Sequence, residues 1–148
     1  MKTEMDVLNR LRDTIARYIN DYVPEDLFIE DMQVVVDYPE TDNMPKGTMV
    51  YIEPENAEYS TLTMDSDLTV LNATLYILCK KEASNVLLQR VFKYASAISS
   101  LIRQHQSLDE YIDFTTINTL EFYPSVDASK TIKAIELSIS LQWEKDWL

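Results

Sequence analysis

Five apolar residues at strict two-residue spacing, Ile135, Leu137, Ile139, Leu141 and Trp143, alternate with Glu136, Ser138, Ser140 and Gln142. Only an extended chain sends successive side chains to opposite faces, so this stretch reads as a strand with one dry and one wet face. A dry face needs a second layer to cover it. Residues 84–104 provide one. Ser84 suits an N-cap, and Leu87, Leu88, Val91, Phe92, Tyr94, Ala95, Ile98, Leu101 and Ile102 fill about half of a helical projection. Gln89, Arg90, Lys93, Ser96, Ser100, Arg103 and Gln104 fill the rest. Such a wide stripe suits a helix lying across a sheet.

The other elements follow from the same periodicities. Val7, Leu8, Leu11, Ile15, Tyr18, Ile19 and Tyr22 predict a helix over 4–22, with Thr3 as N-cap and Pro24 beyond its end. Asp6–Arg10 and Asp13–Arg17 are acid-then-base pairs at i,i+4 on its solvated side. Residues 25–31 read as a turn or short helix. Residues 32–38 and 48–53 predict strands, and 54–60 an acidic loop. Residues 61–80 lead into a strand with apolar residues on both faces: Leu75, Ile77 and Cys79 opposite Tyr76 and Leu78. Residues 113–123, with Phe114, Leu120 and Phe122 on one parity, pair with 132–143 through a long connection. The expectation is one α+β domain spanning 1–148, a mostly antiparallel sheet with two helices packed on one face, in the order helix, strands, helix, hairpin. The segments 39–47 and 124–131 are expected to order on contact with a partner.

Composition narrows function by exclusion. The chain has one Gly in 148 residues, so GxGxxG, P-loop and GxSxG cradles are absent. One Cys leaves no intramolecular disulfide and no Cys-based zinc site. With no apolar run of signal-peptide length at the amino end, the cytoplasm is the expected compartment, and no membrane span is expected. The net charge is −12, and all of it is local. Residues 21–67 hold 13 acids against Lys46, and the remaining residues hold 12 acids and 12 bases. A surface of this sign disfavours gripping nucleic acid or anionic membranes.

Candidate chemistry is thin. His105 follows the 84–104 helix without an evident partner or pocket, and Cys79 sits on an apolar parity. Asp65-Ser66-Asp67 starts like a calcium loop but continues Leu68-Thr69-Val70, without the Gly that the loop needs. Glu53, Glu55 and Glu58 present three carboxylates in one stretch. Trp143 completes the core stripe, whereas Trp147 either docks on its own core or contacts a partner. No catalytic residue, metal site or cofactor is expected. The candidates for a contact surface are Asp37, Glu40, Asp42, Glu53, Glu55, Glu58, Asp65, Asp67, Arg90, Lys93, Arg103 and Trp147.

The arrangement as a whole resembles a known family. A short amino-terminal helix is followed by VVVDYPETDNMPKG, TMVYIEPE, the strand and helix LTVLNATLYILCKKEASNVLLQRVFKYASAISSLI, and a terminal strand IKAIELSISLQWEKDW. This is similar to the tail-terminator and tail-completion proteins of long-tailed bacteriophages, including the minor tail protein U type. The resemblance implies a non-enzymatic virion protein, assembled in the host cytoplasm. It implies a hexameric ring that caps the tail tube, ends its polymerisation and joins tail to head. Its partners would be the tail tube protein and the head–tail connector proteins. DNA would pass through the ring without being bound specifically. Six copies of −12 would carry −72, so acids near the lumen would repel the DNA backbone. Two other readings stay open: a neck or connector component, and an acidic soluble adaptor that binds a basic partner.

Overall fold

The computed structural model describes residues 2–24, 33–38, 47–80, 84–123 and 132–147. Helix α1 (Glu4–Tyr18) runs into a 3-10 turn (Ile19–Asp21), followed by strands β1 (Gln33–Val36), β2 (Gly47–Thr61) and β3 (Ser66–Lys80). Helix α2 (Ser84–Gln104) precedes strands β4 (Phe114–Tyr123) and β5 (Ile132–Asp146). The sheet order is β1-β2-β3-β5-β4. Only β1–β2 is parallel; the other three pairings are antiparallel. The α+β class and the mostly antiparallel sheet agree with the sequence reading. No helix among the described residues is long and apolar enough to cross a membrane.

Helix α1 starts on a reciprocal cap. Thr3 Oγ1 accepts from the Asp6 amide at 3.2 Å, and the Asp6 carboxylate accepts from the Thr3 amide at 2.9 Å. Those bonds hold the Asp6 carboxyl below its usual value, the bond from the Thr3 backbone most of all. Val7, Leu8, Leu11 and Ile15 of α1 are buried, as are Val91, Tyr94, Ala95, Ile98, Leu101 and Ile102 of α2. They meet one sheet face made by Val50, Ile52, Leu71, Leu75, Ile77, Leu137, Ile139, Leu141 and Trp143. Cys79 lies in this core, where burial above all pushes its thiol up to about 11. A smaller cluster, Met49, Tyr51, Leu78 and Ala134, sits on the opposite face. The two-sided burial expected for the 75–79 strand is therefore present.

Several sequence expectations are corrected. Residues 54–60 are not a loop: β2 continues through them to Thr61, paired with β3. Pro54 is tolerated because β1 pairs only with Met49 to Ile52. Beyond Ile52, β2 is itself an edge among the described strands, a position where proline is tolerated. The acids at 55 and 58 suggest a loop because they are polar, but they occupy outward positions of a strand, as Glu53 does within the expected strand 48–53. The shared parity of Phe114, Leu120 and Phe122 also fails. A bulge between Ile117 and Thr119 inserts one residue, so Phe114 opposes Gln142 while Leu120 and Phe122 oppose Leu137 and Ile135. The helix-face assignment of Phe92 is only partial, because its ring is half exposed and packs at 4.9 Å against Phe122. In α1, Arg10 donates instead to the Leu108 carbonyl at 3.1 Å, and Arg12 rather than Arg17 pairs with Asp13, at 3.2 Å. The stretches 25–31, 39–46 and 124–131 lie outside the described residues.

The connection from α2 to β4 contains Leu108, Asp109 and Glu110, with φ of 52°, 60° and 65°. Three consecutive non-glycine residues in the left-handed region carry strain of about 1–2 kcal/mol each. Their surroundings hold them there. Leu108 is fully buried, and its carbonyl takes the Arg10 bond. The Asp109 carboxylate accepts from the Tyr18 hydroxyl at 2.9 Å and lies 3.2 Å from His105 Nδ1. The Glu110 amide donates to Ser107 Oγ at 3.0 Å. His105 stacks on Tyr18 with ring centroids 4.1 Å apart. The sole histidine is thus a structural group that fastens this turn to α1.

Candidate functional site: the acidic face of the sheet

The helices cover one side of the sheet, so the other side is the candidate surface. Cross-strand register places its residues. Glu53 and Tyr76 share this face with Glu136 and Glu121; further along come Glu58, opposite Val70, and Glu144, opposite Leu68. Glu55 joins them by accepting from Thr74 Oγ1. Six glutamates therefore lie on this face, with no basic group among its described side chains. The described cations of the two helices, Arg10, Arg12, Arg17, Arg90, Lys93 and Arg103, belong to the other layer. The helical layer itself carries both signs, since Glu4, Asp6, Asp13, Asp109 and Glu110 stand among these cations, so the sheet separates an acidic surface from one of mixed charge.

Two devices organise the acidic face. The Tyr76 hydroxyl lies within hydrogen-bond reach of Glu53 and Glu136; burial, then the bond to Glu53, pushes its pKa far up, so it stays protonated as a donor. The second device is a polar chain across four strands. Asn118 Nδ2 on β4 donates to Ser140 Oγ on β5 at 2.8 Å. Ser140 Oγ donates to Asn72 Oδ1 on β3 at 2.6 Å, and Asn72 Nδ2 donates to Asn56 Oδ1 on β2 at 3.1 Å. Both ends of this chain sit at β-bulges, between Pro54 and Asn56 and between Ile117 and Thr119. The two bulges lie at one level, because Pro54, Ala73, Ile139 and Ile117 oppose one another in turn. Bulges re-aim side chains and sharpen twist, and here they turn Asn56 and Asn118 onto the polar face.

One end of the sheet is closed by a terminal clasp. The tip between β2 and β3 turns without glycine: the Leu62 and Thr63 amides both donate to the Ser66 carbonyl at 3.1 Å, and the Thr63 and Ser66 hydroxyls bond at 2.8 Å. Trp147 docks there. Its amide donates to the Asp65 carbonyl and its Nε1 to the Asp67 carboxylate, each at 2.8 Å. Its ring meets Tyr59 edge-on at 5.5 Å and lies under Lys145 Nζ at 4.0 Å. Lys145 is buried and pairs with Glu4 at 2.8 Å, while the Tyr59 hydroxyl donates to the same Glu4 carboxylate at 2.5 Å. Burial pushes the Glu4 carboxyl up, but the bonds from Lys145 and Tyr59 outweigh it and the net shift is downward. Tyr59 is correspondingly pushed up to about 12, chiefly by its bond to Glu4.

The sequence candidates fall into separate places. Glu53, Glu55 and Glu58 come together on the acidic face. Asp65 and Asp67 belong to the terminal clasp with Trp147, which resolves that tryptophan toward its own chain while leaving it 44% exposed. Asp37 follows β1 and is exposed, its carboxylate bonded to the Tyr38 amide at 2.7 Å. Arg90, Lys93 and Arg103 stand on α2, away from the glutamates. Glu40 and Asp42 lie outside the described residues. Sequence reading missed Glu121, Glu136 and Glu144 as members of the face. Glu136 was visible as a wet-face residue of the alternating strand, and nothing short of the fold joins it to Glu53. Among the described residues, no group of three or more His, Cys, Asp and Glu is placed to hold a metal ion.

The sequence matches no protein-family model and no curated protein. Among solved structures it is similar to the sheath/tube terminator, in its extended state, of the PVC extracellular contractile injection system. The match has a TM-score of 0.55 at 12% identity and covers 99% of this chain and 58% of that one. The likeness is one of fold. This chain spans less than two thirds of the terminator's length. A chain from the virion of a native gene transfer agent particle is also similar, with a TM-score of 0.46 at 14% identity over 76% of this chain and 78% of that one.

Proposed function

We propose that this protein is a non-enzymatic tail-terminator-like subunit, a single domain that closes into a hexameric ring at the end of a tail tube. It would stop tube growth there and join the tail to the head. The observation that carries the reading is the fold shared with a sheath/tube terminator over 99% of this chain. The charge layout supports it. An annulus crossed by DNA must not hold the DNA, and a wall of carboxylates with no base among its described side chains raises the local negative potential. The acidic sheet face is therefore the lumen wall, and the helices form the outer layer. Its partners in this reading are copies of itself, the tube protein and head–tail connector proteins, in a virion tail.

A rival placement sets the acids of one subunit against Arg90, Lys93 and Arg103 of the next. Charge reversal separates the two. Glu58→Lys with Glu144→Lys changes two exposed side chains of the acidic face. If this face lines the lumen, rings of the variant persist at low and high salt, and duplex DNA now co-sediments with them. Rings that dissociate on reversal, and wild-type rings that dissociate in high salt, would instead support intersubunit ion pairs.

A further inference from the structure

Both edges of the sheet are bare among the described strands. β1 forms one edge and β4 the other. Their protection against pairing is limited to the shortness of β1, four residues, and the single bulge of β4 between Ile117 and Thr119. β1 reads Gln-Val-Val-Val, and β4 has one charged residue, Glu121, and no Lys or Pro. Apolar groups gather at the β4 edge: Phe122 is 58% exposed and touches the half-exposed Phe92 of α2, and Leu120 is exposed beside it.

Register across the sheet shows that the two edges match. Val34 opposes Val50, then Ile77, then Ile135, then Phe122. Val36 likewise leads through Ile52, Leu75 and Leu137 to Leu120. The β1 edge is thus level with the Leu120–Tyr123 end of β4. Their directions are opposite, because three antiparallel pairings and one parallel pairing separate them. Their faces agree too. Val34 and Val36 pack on the helix side with the main core, the side on which Phe122 meets α2, while Val35 and Glu121 both lie on the acidic side. Charge is compatible: Lys93 and Arg103 are exposed on the α2 flank of β4, and Asp37 is exposed directly after β1.

We infer that the partner of the β4 edge is the β1 edge of a second copy of this chain, paired antiparallel so that Val34 and Val36 cover Leu120 and Phe122. This rests on the ring reading and names its joint. The contact is heterologous, one edge against a different edge, so it propagates from copy to copy and closes only if the rotation per copy permits. Closing a sheet also staggers its strands. The stagger must be an even number of residues, since an odd slip would turn Phe122 to the acidic face.

Disulfide trapping tests the joint. In a Cys79→Ala background, chains carrying Val35→Cys are mixed with chains carrying Glu121→Cys, or with chains carrying Thr119→Cys to cover a two-residue stagger. Within one chain, positions 35 and 121 are four strand spacings apart, about 19 Å, too far to bridge. Any link is therefore between copies. The expected result is a linked dimer in one of these two mixtures and none with Leu120→Cys, whose side chain lies on the other face. The mass of unlinked wild-type protein reads the ring separately. Closed oligomers without a link at 119 or 121 would overturn this joint and leave the ring intact. Links accompanied by open-ended growth would support the joint and overturn the ring. A chain that stays monomeric and unlinked at its highest soluble concentration overturns both.

Discussion

Trp143→Ala should lower the unfolding free energy by about 3–5 kcal/mol, read as a fall in the urea midpoint at an unchanged m-value. The indole is among the largest fully buried side chains, and it lies on the core face of β5. Truncation removes its transfer energy and leaves a cavity between sheet and helices that close packing cannot readily refill. Against a total stability of about 5–15 kcal/mol, that is a large share. Trp143→Phe should cost far less than its lost area suggests. The indole Nε1 has no hydrogen-bond partner, and neither has Thr69 Oγ1 on the residue paired with it. An orphaned buried donor costs about 1–3 kcal/mol, so removing it offsets part of the lost packing. If Trp143→Ala cost less than about 1 kcal/mol, β5 would not be the centre of the core.

Lys145→Ala should be the second costly change, at about 2–4 kcal/mol, because one partner of a largely buried pair is removed. The Lys145 side chain is 6% exposed and that of Glu4 27% exposed. Removing the lysine strands the Glu4 carboxylate beside Tyr59 and takes the cation from the Trp147 ring. Lys145→Met keeps the aliphatic stem and should recover part of the loss. The pair also sets an acid limb. Glu4 titrates lower in the folded chain than its ordinary 4.5, so its contribution is fully present above that value. It is lost as pH falls through the lower, folded value. Glu4→Gln should therefore flatten the stability–pH curve below about pH 4.5 and leave its shape at neutral pH unchanged. A curve as steep as wild type in that window would show that the clasp does not hold the carboxylate.

Much of the fold is legible in the sequence because period decides it. The alternation from Ile135 to Trp143 fixes a strand, and the stripe from Val91 to Ile102 fixes the helix above it. Thr3 with Asp6 marks where α1 begins. The failures share a cause. Periodicity assumes an unbroken element, and one inserted residue at each bulge resets it, which moved Phe114 off the parity of Leu120 and Phe122. Polarity also misleads at an edge: residues 54–60 read as a loop because outward residues with no neighbouring strand among the described residues have no reason to be apolar. The left-handed run Leu108–Glu110 has no local signal, since tertiary bonds from Arg10 and Tyr18 hold it. The candidate site was half legible. The acids of 53–58 stand out by count, but their company with Glu121, Glu136 and Glu144 exists only once β2, β3, β5 and β4 are side by side.

As proposed above, copies of this chain close into a ring with the acidic sheet face inward. Native mass measurement over a rising concentration series tests it most directly. A discrete species at six times the 17.2 kDa chain mass is expected, with no larger species growing beyond it. A chain that remains at 17.2 kDa throughout, or an open series without a closed size, would contradict it.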